Sequence, residues 1–429
     1  MLEKRQPIPV AEAVQRVMDY AFQAKREFVP LPQAQGRFIA EDIVADHDVP
    51  AFDRSPYDGY AIRSIDSQEA SSEQPVIFQV VGEIGAGFVY EEVVGYRQAV
   101  RIMTGAPIPE GCDVVVMLEL THTFEENKQL LMSIKRTFAT GTNISYKGED
   151  VQQGTVLIEK GQYINPGVIA LLATFGYAQV PVYRKMVVGV IATGSELLEP
   201  GESLQPGKIR NSNAYMIMAQ IERTGAEVHY FGKFSDDLDL CINIVEKALQ
   251  EVDMLITTGG VSVGDYDYLP AIYEAINAKV LFNKVAMRPG SVTTVAARNG
   301  QLLFGLSGNP SACYVGFELF VRPIIRTAFG NQQPHLRREQ AILGADFTKP
   351  NPFTRFVRAR AYYEKGQLVA EPSGFDKSSA VSSLAIANAF IVLPGGSRGY
   401  EKGMQIAVLL LEDLQGSEWP WDNIEKSYR

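Results

Sequence analysis

The run Met254-Leu255-Ile256-Thr257-Thr258-Gly259-Gly260-Val261-Ser262-Val263-Gly264-Asp265-Tyr266-Asp267 decides the fold. Its first three residues read as a buried parallel strand, and the periodic stretch 269–276 beyond it reads as a helix. A strand feeding a glycine- and hydroxyl-rich turn and then a helix is a geometry that binds anions. Glycine lets the backbone approach closely, and free N–H groups aim at the oxygens. Asp265 and Asp267 would repel a bare phosphate, whereas a divalent cation between them and the ligand makes them useful. The loop therefore points to a metal-assisted site for a phosphorylated small molecule.

The flanks keep a βαβ rhythm. Residues 187–191 read as a buried strand ending in Ala192-Thr193-Gly194-Ser195-Glu196-Leu197. Asn211-Ser212-Asn213 caps a helix to Arg223, which Gly225 stops, and 228–231 is the next strand. Leu238, Cys241, Ile242, Val245 and Leu249 form the stripe of a further helix, capped by Ser235 or Asp236. Strands are predicted at 280–282, 292–296 and 302–306. Ser307-Gly308-Asn309-Pro310-Ser311 then turns into a long apolar helix from Ala312 to about Phe329. The pattern predicts a doubly wound, mostly parallel sheet, whose ligands bind beyond the carboxyl ends of the strands. That rule gathers Thr193, Gly194, Ser195 and Glu196, then Asp236, the 257–267 loop and 307–311 along one edge. Capping a helix is the ordinary role of any one of these residues. Four such loops, two with extra acids, argue for a site.

Before this unit, Val10, Val14, Val17, Met18 and Ala21 predict an amphipathic helix over 9–25, and a second short helix covers 32–38. Pro50 to Ala61 is dense in turn formers and presents Asp58 on a rigid loop. Strands are predicted at 76–81, 99–103, 114–118, 130–134 and 155–159, and Thr104 reads as a structural residue at a strand end. Asn165 and Pro166 make an N-cap and N1 pair for a helix to Phe175. After 331 the pattern is β again, at 340–347, 356–363, 368–371, 390–393 and 404–411, which predicts a small barrel or sandwich. The hydroxyl cluster at 378–383 reads as a solvated loop, and the segment from Gln415 as a loosely held tail. The expected fold is multidomain α/β plus β. A discontinuous mixed linker domain (1–48 and 143–180) surrounds a β-rich excursion (49–142), followed by the α/β domain (181–330) and a C-terminal β domain (331–429).

At 429 residues the length alone suggests about three domains. A net charge of −10 argues against a general nucleic-acid or anionic-membrane binder, so an anionic substrate needs a local basic pocket. Three distant cysteines match no disulfide or zinc spacing, and no run approaches the ~20 apolar residues of a membrane span, so a cytoplasmic protein is expected. The four histidines lie outside the Gly-rich turns, and neither a nucleophile elbow nor a phosphate-binding P-loop is present. What remains is Glu196, Asp236 and Asp267, oxygen ligands that favour Mg²⁺ over zinc, with Lys284 and Arg288 adding positive charge. A cation and basic groups that polarise a phosphate bond suffice for anhydride cleavage or transfer.

Six stretches together carry a resemblance over essentially the whole chain. They are Ser55-Pro56-Tyr57-Asp58-Gly59-Tyr60-Ala61, Arg101 to Pro109, Gly148-Glu149-Asp150, Thr193-Gly194-Ser195-Glu196-Leu197, Thr258 to Gly264, and Gly308-Asn309-Pro310. Their order resembles the molybdopterin molybdenumtransferase family, the MoeA-type enzymes and the gephyrin E domain. The resemblance implies a central MogA-like domain and insertion of molybdate into adenylylated molybdopterin, with Mg²⁺-dependent hydrolysis of the adenylate and release of AMP. It implies a homodimer with shared active sites, and transient contacts with the molybdopterin adenylyltransferase and apo-molybdoenzymes. Asp58 and Thr104 would face the α/β domain of the other subunit. Glu196, Asp236 and Asp267 look like the metal and catalytic carboxylates. Gly259, Gly260 and Ser262 look like the pterin-phosphate cradle, with Thr193, Gly194, Ser195, Ser307 and Pro310 on the same edge and Lys284 and Arg288 as anion contacts. Arg358 and Ser383 resemble a molybdate-binding pair. The chain departs from the family's Lys-Pro-Gly-Lys-Pro with Arg288-Pro289-Gly290-Ser291-Val292, so one cation changes shape and another is lost. Ser307 stands where a Pro is common, and an Arg-rich stretch before Gly148 is reduced to Lys147. Two other activities fit parts of the pattern: the adenylylation step, which shares the Thr258-Gly259-Gly260 loop, and a gephyrin-like scaffold that binds receptor segments.

Overall fold

Val187–Thr193 is apolar along nearly its whole length because both of its faces are covered, the mark of a central parallel strand. The computed structural model describes residues 6–234, 237–259, 269–349, 352–396 and 399–411. These fall into two units, one of 1–40, 161–165 and 179–429 and the other of 41–160 and 166–178. In the first unit the six-stranded sheet runs in the order Glu227–Phe234, Val187–Thr193, Met254–Thr258, Gln301–Leu306, Thr294–Arg298, Lys279–Phe282. The first four are parallel, and Thr294–Arg298 runs against both neighbours. Asn299 and Gly300 explain the reversal. Both take positive φ between the paired Arg298 and Gln301, the backbone of a two-residue hairpin turn.

Helices on both faces close two cores, one of which holds Val188, Val190, Met254, Ile256 and Phe304 with Ile217 and Ile221 of the helix Ser212–Arg223. The Asn211 side chain caps that helix by accepting from the Ala214 N–H. The next helix, Leu238–Glu251, buries Cys241, Val245, Ala248 and Leu249. Its cap corrects the expectation of Ser235 or Asp236: Asp237 accepts from the Leu240 N–H at 2.8 Å. The long helix after Pro310 is not uniform. Pro310–Gly316 and Arg322–Ala328 flank a π turn, Phe317–Val321. Pro323 has no N–H for a carbonyl one turn back, and Glu318, 1% exposed in the π turn, is bonded by Arg223 and Gln220.

The predicted C-terminal β domain is a closed five-stranded barrel of Arg337–Leu343, Thr354–Glu364, Gln367–Pro372, Ala389–Leu393 and Gln405–Leu410. Closure comes from Thr354–Glu364, which pairs with Gln367–Pro372 on one side and Ala389–Leu393 on the other. The short strand Met287–Arg288 joins its start, placing Arg288 opposite Arg355. At the N-terminus the expected helix over 9–25 stops at Met18, where the chain turns so that the Ala24 N–H reaches the Ala328 carbonyl. The helix expected at 32–38 shrinks to the 3₁₀ turn Leu31–Gln33, because Phe38 and Ile39 bridge to Tyr163 and Val182 instead.

The second unit holds a six-stranded sheet in the order Val114–Met117, Gly59–Ile62, Gln98–Ile102, Val76–Ile84, Gln129–Ile134, Thr121–Glu126. Gly59–Ile62 is wholly buried at the end of the turn-rich loop. Its first residue must be glycine, since a Cβ there would stand 2.1 Å from the Val116 carbonyl oxygen. The helix predicted after Asn165 is present as Pro166–Thr174.

Candidate active site

In the second unit the loop before Gly59 is stitched to the loop after Ile102. Ser55 exchanges backbone bonds with Gly105 and Ala106, and the Ile108 N–H donates to the Asp53 carbonyl. This register brings Thr104 onto Asp58. The Thr104 N–H and hydroxyl donate to the same Asp58 oxygen at 2.7 and 2.8 Å. Both side chains are exposed. The backbone bond, the hydroxyl and, more weakly, the charge of Arg101 hold the Asp58 carboxyl below the usual carboxylate range against a small opposing effect of burial. Thr104, read as structural, thus fixes an exposed, persistently ionised carboxylate.

In the first unit three strand ends meet. The Thr193 hydroxyl donates to the Thr258 carbonyl at 3.4 Å, and the Gly259 N–H to the Leu306 carbonyl at 3.2 Å. Gly259 takes φ +94°, and a Cβ there would stand 2.3 Å from the Thr193 carbonyl oxygen, so only glycine fits. A Cβ on Gly308 would be 3.7 Å from the Gly259 Cα. The edge therefore gathers Thr193, Gly194, Gly259 and Ser307 as the strand-end rule requires. One part of the expectation changes: the N–H groups of Gly194 and Gly259 already donate to Phe234 and Leu306, so these glycines contribute room rather than donors.

Glu196 is exposed beside Gly194, where a Cβ would stand 2.6 Å from its Oε2. Lys208 Nζ donates to the Ser195 carbonyl at 2.6 Å and steadies that turn. Asp236, Gly260, Ser262 and Asp267 lie outside the described residues. Among the described residues no group of three or more His, Cys, Asp or Glu is placed to hold a metal. Glu196 is the one described member of the expected ligand set, and its oxygen chemistry suits a hard cation. Ser307 is buried and accepts from the Asn309 N–H, and Pro310 begins its helix.

The barrel holds the most tightly built pair. Arg358 is 2% exposed. Its Nε donates to Ser383 Oγ at 2.8 Å, and its Nη2 to the carbonyls of Phe375 and Lys377 at 3.0 and 3.3 Å. Nη1 is buried with no acceptor. Burial pulls the Arg358 pKa below its ordinary value, Asp376 pushes it back up, and Arg355 adds to the lowering. A buried guanidinium with two N–H groups unmet suits an anionic oxygen. Ser383 is 2% exposed, which corrects the reading of the hydroxyl cluster as a solvated loop at that one residue, while Ser379 and Ser382 are exposed as expected. This loop also abuts the α/β domain, for the Ser311 hydroxyl donates to the Ala380 carbonyl at 2.6 Å and the Ser311 N–H to Ser378 at 3.0 Å. Arg288 is exposed on its short strand and Lys284 is half-buried.

Sequence reasoning missed two residues here. Asn213 is buried, and its Nδ2 donates to Thr258 Oγ1 at 3.0 Å and to the Gly308 carbonyl at 2.9 Å, tying two of the edge loops together. The signal was a second asparagine two positions after the one that caps. Asp376, which holds Arg355 and Lys349, had no local signal.

Three family profiles match in chain order: the MoeA N-terminal region (domain I and II) over residues 8–176, a probable molybdopterin binding domain over 189–327, and the MoeA C-terminal region (domain IV) over 340–411. The chain is 63% identical over 427 residues to the molybdopterin molybdenumtransferase of Bacillus subtilis, covering 100% of this chain and 99% of that one. It is 52% identical over 418 residues to a Staphylococcus aureus protein of the same name, covering 97% and 99%. A crystal structure of a molybdopterin biosynthesis MoeA protein from Pyrococcus horikosii superposes with a TM-score of 0.83 at 30% identity, covering 95% of this chain and 100% of that one.

Proposed function

The chain belongs to the molybdopterin molybdenumtransferase (MoeA) family, and from that premise we propose that it inserts molybdate into adenylylated molybdopterin, hydrolysing the adenylate and releasing AMP. The observation that carries this reading is the 63% identity along the entire chain, all three family regions included. The four-part domain division read from the sequence is retained as part of the proposal. So are a cytoplasmic setting, a homodimer and transient contacts with the adenylyltransferase and apo-molybdoenzymes. Among the described residues no helix is long and apolar enough to cross a membrane.

In this reading the pterin phosphate lies over Gly259 with Gly260 and Ser262, beside Thr193, Gly194, Ser195, Ser307 and Pro310, where the narrow backbone admits it. Lys284 and Arg288 offset its charge. Glu196, Asp236 and Asp267 would hold Mg²⁺, which when bound supplies charge stabilisation to the phosphoanhydride. Asp58 of one subunit, kept ionised by Thr104, faces the α/β domain of its partner and is placed to accept a proton from the attacking water. Arg358 and Ser383 seat the molybdate oxygens, a role supported by the unmet Nη1 donors.

The test is AMP release from preformed adenylylated molybdopterin with and without molybdate. Molybdate-dependent release supports the reading. Formation of adenylate from ATP and molybdopterin, without such release, would establish the adenylyltransferase instead.

A further inference from the structure

Asp376 is the shared partner of three cations. Its Oδ2 accepts from Arg355 Nη1 at 2.8 Å and from Lys349 Nζ at 3.3 Å, and its backbone carbonyl accepts from the same Nζ at 2.9 Å. Its Oδ1 lies 3.5 Å from Arg358 Nη2. The carboxylate side chain is only 9% exposed, and Phe347 carries Lys349 and Arg355 over its ring at 5.8 and 5.5 Å.

Arg358 does not depend on this carboxylate for its place, because Ser383 and two carbonyls already take Nε and Nη2. What Asp376 changes at Arg358 is the field. Desolvating an oxyanion costs more when the ion is small and strongly hydrated. A strongly positive seat repays that cost for every tetrahedral dianion, and so favours the small ones, sulfate and hydrogen phosphate. A weaker field favours the larger and less hydrated molybdate, the same logic by which field strength sorts ions elsewhere.

We infer that Asp376 is a specificity-determining residue, whose buried negative charge lowers the field at the Arg358 seat so that molybdate is taken in preference to sulfate and phosphate. The inference rests on the reading of Arg358 and Ser383 as the molybdate seat. It also gives a use to a carboxylate that would otherwise only weaken an anion site.

The test is calorimetric titration of the full chain with inorganic molybdate, sulfate and phosphate, each alone and without pterin. In Asp376→Asn the ratio of sulfate to molybdate dissociation constants should fall about tenfold, and Asp376→Glu should keep the wild-type ratio. Lys349→Met, at a side chain 49% exposed, moves the field the other way and should raise the ratio. This second variant keeps the test decisive should Asp376→Asn fail to fold. An unchanged ratio in either variant, or equal weakening of all three anions in Asp376→Asn, overturns the inference and leaves the seat standing. If Arg358→Gln binds molybdate as well as the wild type, the reading of the seat itself fails, and the inference with it.

Discussion

Asp58 and Arg358 are opposite solutions to holding one charge in place. Asp58 stands in solvent and is fixed by two donors from a single residue, Thr104. Arg358 is withdrawn into the barrel and wrapped by Ser383, Phe375, Lys377 and Asp376, with Nη1 left over. An exposed carboxylate retains most of its hydration, so its fixation contributes to orientation and little to folding. A buried guanidinium has surrendered its hydration, and its neighbours must compensate for the loss. The first site should therefore be separable from stability, and the second should not.

The largest expected effect tests the first half. Asp58→Asn should lower molybdate-dependent AMP release by at least about a hundredfold while the unfolding midpoint in urea stays where it is, as exposed substitutions ordinarily leave it. A matching fall in stability would break the contrast. Asp267→Ala should be equally inactive. Mixing it with Asp58→Ala should restore up to about a quarter of the wild-type rate if each site takes Asp58 from one subunit and Asp267 from the other. Demonstrated heterodimers with no recovery would refute sharing.

The second half is sharpened at the barrel. Ser383→Ala leaves the Arg358 Nε–H without its acceptor in a residue 2% exposed, which should cost about 2 kcal/mol of stability by chemical denaturation. Arg358→Met should go further: molybdate binding is lost and about 3 kcal/mol of stability with it, because Ser383 Oγ, two carbonyls and the Asp376 carboxylate all lose the guanidinium they were arranged around. If Arg358→Met loses molybdate binding at unchanged stability, the buried seat is as separable as the exposed one and the contrast breaks.

The same contrast explains what the sequence revealed. Apolar runs such as 187–191 and the stripe from Leu238 to Leu249 are local patterns, so strands, helices and their alternation were legible, and with them the edge where Thr193, Gly259 and Ser307 meet. The Asp58 loop was legible as well, since its rigidity is written in neighbouring prolines and glycines. The Arg358 seat was not legible from pattern. Ser383 lies 25 positions from its partner, and nothing in the sequence separates it from the exposed serines beside it, Ser379 and Ser382. Asn213 was hidden by proximity to a better-known role, because Asn211 takes the cap and leaves Asn213 to cross-link the edge. Asp237 was passed over for its neighbours Ser235 and Asp236, and only the geometry of the Leu240 N–H identifies it as the cap. Asn213→Ala should cost about 1 kcal/mol, and because the loops it ties carry Thr258 and Gly308, it should weaken substrate binding more than turnover.

The smallest expected effect separates the two donors on Asp58. Its carboxyl lies below the ordinary range, the Thr104 N–H being the larger cause and the hydroxyl the second. A depressed carboxyl stays ionised as the pH falls through the usual carboxylate range and loses its charge only below it. The acid limb of molybdate-dependent AMP release should accordingly sit below that range wherever Asp58 controls it. Thr104→Val removes the hydroxyl and keeps the N–H, so the limb and the Asp58 carboxyl titration followed by NMR should both move upward, part of the way to the ordinary value. A Thr104→Ser variant, with its hydroxyl restored, should return both to the wild-type position. An acid limb that ignores both substitutions while the NMR titration moves would mean that Asp58 is held ionised for some purpose other than the proton transfer assigned to it.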